Sequence, residues 1–203
     1  MDIIKVLQEE LQIGYKQAEA AVGLIDEGNT IPFIARYRKE ATGSLNDEVL
    51  RNLDERLKYL RNLEEKKEQV ISSIREQEKL TPELEKQILE AMTMVAVEDL
   101  YRPYRPKRRT RAMIAKEKGL EPLANLIWLQ QIKEPAEELA RAYVSEEKQV
   151  PSAEEAVAGA RDILAERISD QADYRSYIRK ITMDRGMIAS SAKDGEAQSV
   201  YEM

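Results

Sequence analysis

Between Asn46 and Gln77 the chain contains neither glycine nor proline, and its apolar residues recur at helical spacing. Leu50, Leu53, Leu57 and Leu60 step by three, four and three, and Leu63, Val70 and Ile74 continue the seam after a phase slip, with Lys67 at a seam position. This pattern predicts one helix over about 46–77, a rod of ~45 Å at 1.5 Å per residue. A helix of that length is the spine of a helical domain or an arm between domains. The seam falls short of the three to four clean heptads of a coiled coil, so it reads as intramolecular core rather than a dimer zipper.

The flanking sequence punctuates itself into further helices. Residues 2–10 carry Ile3, Ile4 and Leu7 on one face, and 15–27 carry Ala18, Ala21, Val22 and Ile25. In "EGNT", Gly28 suits a left-handed helix stop and Asn29 or Thr30 a new cap, with Pro32 in the first turn of the helix "PFIARYRKEA". That helix is expected to present Phe33, Ile34 and Tyr37 on one side, edged by Arg36, Arg38 and Lys39, the usual amphipathic border. "ATGSLND" lacks the pattern and the preceding strand of a phosphate-binding loop and reads as a helix boundary, with Gly43 as stop and Ser44 or Asn46 as cap. "LTPELEKQILEAMT" opens with Thr81 as cap and Pro82 behind it, and places Leu84, Ile88 and Met92 inward. Helices are also expected over 95–101, 111–118, 120–131, 135–144, 152–169 and 171–184, the last with Tyr174, Tyr177, Ile178 and Ile181 at core spacing. The fold class is therefore mostly α, a multi-helix scaffold. The tail 187–203 loses the helical period: "MIASSA" and "SVYEM" around "KDGE" suit a short β-hairpin. That uncapped pattern reads as the start of a further segment cut short, after a helical region spanning 1–186.

Composition narrows the chemistry. The 203 residues include no Cys and no His. That removes disulfides, thiolate and imidazole metal ligands, and His-based catalysis. Adjacent acids at Glu98–Asp99, and Asp194 with Glu196, do not converge as a two-metal site would require, and "SSAK" resembles a Ser–Lys pair only superficially. The expectation is a non-catalytic protein without metal or cofactor. No apolar run is long enough for a membrane span and the start is no signal peptide, which points to the cytoplasm.

Against a net charge of −6, one stretch is strongly basic. "YRPYRPKRRTRAMIAKEKG" gathers Arg102, Arg105, Lys107, Arg108, Arg109, Arg111, Lys116 and Lys118 against a single acid, Glu117. Residues preceding Pro103 and Pro106 are expected to be extended, giving a proline-stiffened loop before a helix capped by Thr110. Two readings stand side by side. In one, the cations contact phosphates, Tyr101 and Tyr104 support a base or the loop, and the helix start at Thr110 adds N–H donors. Such binding, to RNA or DNA, has weak sequence specificity because nothing reads base edges. In the other, the arginines pair with acids of neighbouring helices and the tyrosines pack between them.

Three long stretches carry a family resemblance: "GNTIPFIARYRKEATGSL", "RLKYLRNLEEKKEQVISSIREQEKLTPEL" and "VEDLYRPYRPKRRTRAMIAKEKGLEPLA". With "QVPSAEEAVAGARDILAERISD" they cover most of the chain, and the chain resembles the N-terminal region of the bacterial Tex family of transcription accessory proteins. The resemblance implies a helical scaffold with a helix-turn-helix-like element, placed at 80–130. In that family this region precedes an RNase H-like domain, helix-hairpin-helix motifs and an S1 RNA-binding domain, none of which lies in these residues. It implies a nucleic-acid-binding module that positions rather than turns over its partner. The alternative is a protein-interaction platform facing the transcription machinery or the protein's own C-terminal domains.

Overall fold

The computed structural model describes residues 1–131 and 133–190. The hairpin expected in the tail rests on residues 191–203 and lies, with Asp194 and Glu196, outside them. The described residues form eleven α-helices and one 3-10 turn, with a lone antiparallel bridge between Ser145 and Val150. They divide into two compact units, Met1–Arg108 and the part from Arg109 onward.

The first unit is built on α4 (Asp47–Glu76), the helix expected from the leucine seam. Asn46 caps it by accepting from the Val49 N–H at 2.8 Å, and Asp47 and Glu48 place negative charge in its first turn. Leu50, Leu53, Leu57 and Leu60 are buried against α1 (Ile3–Leu11), α2 (Tyr15–Asp26) and α3 (Ile31–Tyr37), around Leu7, Ala18, Ala21, Val22 and Ile34. Farther along, Leu63, Val70, Ile71 and Ile74 pack on α5 (Pro82–Glu90) and α6 (Met94–Tyr101). One helix thus supports two apolar clusters, which is why its apolar residues change phase along its length. Lys67 occupies its seam position fully buried, and Nζ donates to the Leu89 carbonyl at 2.8 Å. It also pairs with Glu64, 2.9 Å from Oε1. Burial pushes the Glu64 carboxyl up, but the donors of the Met1 ammonium and Lys67 outweigh it and hold the group below its ordinary range. A charge at a core position is tolerated here because both its partners are in place.

Two details depart from the periodicity. Met92 falls beyond α5 and is exposed; Ala91, in extended conformation at the helix end, takes the buried place. In α3 Ile34 is fully buried with Ile31 and Ala35 packed beside it, while Phe33 and Tyr37 face solvent. A helix of seven residues resting on α4 has room to bury a single row.

The second unit holds α7 (Arg111–Glu117), α8 (Glu121–Leu129), α9 (Ala136–Ala140), the 3-10 turn Arg141–Tyr143, α10 (Ala153–Ser169) and α11 (Ala172–Arg185). Its core is made of small residues, Ala112, Ala115, Ala124, Ala140, Ala156 and Ala160, with Leu120, Leu123, Val150 and Ile163. Small side chains let α7 and α10 approach closely: a Cβ on Gly159 would collide with Leu120 Cδ1 and stand 3.3 Å from the Ala115 methyl. The expected core face of α11 is overturned. Tyr174, Tyr177 and Ile178 are exposed, Ile181 is little better covered, and α11 buries no residue.

Candidate nucleic-acid interface

The basic stretch begins inside the first unit, as a continuation of α6. Arg102 keeps helical dihedrals (φ −51°, ψ −42°) although Pro103 follows, contrary to the extended geometry expected there. The turn is closed behind it, because the Tyr101 carbonyl accepts from both Tyr104 N and Arg105 N at 2.9 and 3.0 Å. Those two bonds hold the chain in a turn that proline alone would disfavour.

The tyrosines are the anchors of this turn. Tyr101 shares a 2.9 Å hydrogen bond with Ser73 of α4, and both Tyr101 and Tyr104 pack against the cluster around Ile74 and Ile88. Gln77 Nε2 donates to the Tyr104 carbonyl at 3.0 Å and to the Ser73 carbonyl at 3.1 Å. Lys66 Nζ lies 6.0 Å from the Tyr101 ring centre and pairs with Glu98 at 2.7 Å. Both tyrosines are half-buried and help to hold the loop.

The cations point the other way. Arg102, Arg105 and Arg108 are exposed and Lys107 is half-buried. Arg105 stands 3.8 Å from Glu98, a long contact between exposed groups, and such surface pairs contribute little and exchange readily. Arg108 has no ion-pair partner among the described residues.

The remainder of the stretch belongs to the second unit. Arg109 pairs with Glu117 at 2.7 Å on the surface. Thr110 caps α7 by accepting from Met113 N at 3.1 Å, as its position predicted. Arg111 is exposed and lines a cavity of about 230 Å³ with Lys118, Glu155 and Asp162 on its walls. Lys118 is committed to the Gln149 carbonyl at 2.8 Å, and Lys116 to Glu121 at 3.3 Å. Of the cations singled out from the sequence, Arg102, Arg105, Arg108, Arg109, Arg111 and Lys116 are exposed, and Lys107 and Lys118 are half-buried. Among the described residues no three acidic side chains converge as a metal site, and no helix is long and apolar enough to cross a membrane.

Comparison with known proteins gives a consistent result. Residues 1–75 match the model of the Tex-like protein N-terminal domain, and residues 131–202 match the Tex central region-like model. The chain is 49% identical over 194 residues to protein tex of Bordetella pertussis, covering 96% of this chain and 24% of that protein. It is 45% identical over 196 residues to the transcriptional accessory protein Tex of Neisseria gonorrhoeae, covering 97% and 26%. A human relative, S1 RNA-binding domain-containing protein 1, is 28% identical over 193 residues, covering 94% and 19%. The chain thus spans about a quarter of the length of the bacterial relatives it matches.

Proposed function

Because this chain belongs to the Tex family, we propose that it is a non-catalytic helical scaffold and nucleic-acid-binding module of a transcription accessory protein. The observation that carries the reading is the division of labour at Tyr101–Arg108, within the first unit. Tyrosines and Gln77 fasten the loop from beneath, and on it Arg105 and Arg108 are exposed, Arg105 with only a long surface contact to Glu98. A fixed loop loses little conformational entropy on binding, so its charges are ready for a polyanion. Phosphate contact without base reading gives binding of weak sequence specificity to RNA or DNA. The accessory role in the bacterial names agrees with this.

Arg105, Lys107, Arg108, Arg109 and Arg111 are the proposed phosphate ligands. If all five engage, log K falls against log salt with a slope near −4.5 on duplex DNA and near −3.5 on single strands, at roughly −0.9 and −0.7 per contact. Arg108→Ala with Arg109→Ala flattens the slope by about 1.8 or 1.4 and weakens all sequences alike. An unchanged slope in a folded double variant sinks the role, and loss of folding assigns the arginines to the scaffold.

The interaction-platform reading has its own support in α11. Tyr174, Tyr177, Ile178 and Ile181 form an apolar face that the described residues leave uncovered. The longer part of the family's chain, beyond the quarter matched here, is the natural cover, which makes this an attachment face within one polypeptide. Tyr177→Ser with Ile178→Ser would leave the 203-residue chain as stable as before but loosen the full-length protein, read by hydrogen exchange over α11. Equal protection in parent and variant removes this reading.

A further inference from the structure

A second basic element has a different construction. After α3, the segment Arg38–Ser44 is locked from inside. Thr42 is fully buried; its Oγ donates toward the Arg38 carbonyl at 3.2 Å, and its N–H reaches the same oxygen at 3.1 Å. Ser44 N donates to the Lys39 carbonyl at 2.7 Å. From α2, Gln17 Nε2 donates to the Thr42 and Gly43 carbonyls at 3.2 and 3.0 Å, while Gln17 Oε1 accepts from Gly14 N. Gly43 makes the clamp possible. Its φ is +60°, and a Cβ there would lie 2.7 Å from Gln17 Nε2.

This rigid turn carries Arg36, Arg38 and Lys39 into solvent, against the one carboxylate of Glu40. Among the described residues none of the three cations has an ion-pair partner. Tyr37 is 68% exposed and its ring meets that of Phe33 at 5.3 Å, tilted by 44°. Arg38 lies over the Phe33 ring at 5.6 Å. Arg36, Tyr37, Arg38, Lys39, Glu40 and Ala41 enclose a cavity of about 390 Å³. The exposed Tyr37 ring thus stands at the end of α3, next to cations that have no ion-pair partner among the described residues.

We propose that this corner, Phe33 to Lys39, is a binding site for single-stranded nucleic acid, with Tyr37 stacking on a base and Arg36 and Lys39 holding the flanking phosphates. The chemistry selects the partner. Free cations call for a polyanion, and an exposed ring can be covered by a base face only when that base is unpaired and unstacked. A phosphorylated peptide would satisfy the cations and leave Tyr37 unused. The site shares no residue with the Tyr101–Arg111 stretch and does not depend on it.

The test is fluorescence anisotropy with a labelled oligo(dT) or oligo(U) 12-mer, in parent and variants whose folding is checked by circular dichroism. Tyr37→Ala is expected to weaken binding about 5- to 150-fold, the value of one stacked base, with Tyr37→Phe retaining most of the affinity. Arg36→Ala with Lys39→Ala is expected to flatten the single-strand salt slope by about 1.4. Both effects should persist when Arg108 and Arg109 are already alanine, so failure of the loop and failure of the corner give different patterns. Parent-like affinity in folded Tyr37→Ala overturns the proposal. So does equal competition by a phosphoserine peptide of matched charge, or an unchanged slope in the charge variant.

Discussion

The turn after α3 and the loop after α6 both interleave tyrosine with cations, "ARYRKEA" and "YRPYRPKRR", yet they use their aromatic residues in opposite ways. At the loop, Tyr101 finds Ser73 and both tyrosines find an apolar cluster, so the rings become the foundation and only charge remains outside. At the turn, the foundation is supplied by Thr42 and Gln17, and the rings of Phe33 and Tyr37 are left facing solvent with the cations. A tyrosine beside an arginine is therefore no stacking site by itself. What decides is whether another group already anchors the backbone. In the binding proposed above, the first element offers phosphate contact alone, the second phosphate contact and a base platform.

The largest effect comes from the support both elements share. Leu63→Ala in α4, at a fully buried position, should cost about 2–5 kcal/mol in urea unfolding. A loss below 1 kcal/mol would mean that α4 is not the common spine. Next is Gly43→Ala, which forces a side chain into a left-handed conformation against Gln17 and should cost about 1–2 kcal/mol. It should impair the corner and spare the loop; equal damage to both would erase the distinction. Tyr101→Phe removes the hydroxyl bond to Ser73 and should cost about 0.5–1.5 kcal/mol, with faster amide exchange at 102–108 and none of the base-dependent loss expected for Tyr37. The smallest effect is on the surface: Arg108→Ala with Arg109→Ala should change stability by less than about 0.5 kcal/mol per site while altering the salt slope. A larger loss would move these arginines into the scaffold.

Much of the fold was legible because it rests on local rules. The α4 seam, the Asn46, Thr81 and Thr110 caps, and the glycine stop at Gly28 each follow from a few neighbouring residues. The reading failed where a second element decides the outcome. Tyr174, Tyr177, Ile178 and Ile181 have core spacing, but spacing names a face and not its partner, and the described residues supply none. Arg102 before Pro103 was expected to be extended, and two hydrogen bonds to one carbonyl override that preference. The basic residues at 102–111 stood out by charge alone. The corner at 36–39 looked like an ordinary amphipathic edge, because the clamp that exposes it depends on Gln17, twenty-five residues from Thr42 in sequence and marked by no pattern of its own.

Photochemical cross-linking of the chain to a single-stranded oligonucleotide, with the adducts located by mass spectrometry, tests the account most directly. A bound base touching a ring should leave a nucleotide adduct on that residue. The account predicts adducts at Tyr37, with Phe33 as the neighbouring site, and none at Tyr101 or Tyr104, whose rings are committed to the core. Adducts at Tyr101 or Tyr104 with none at Tyr37 would contradict it.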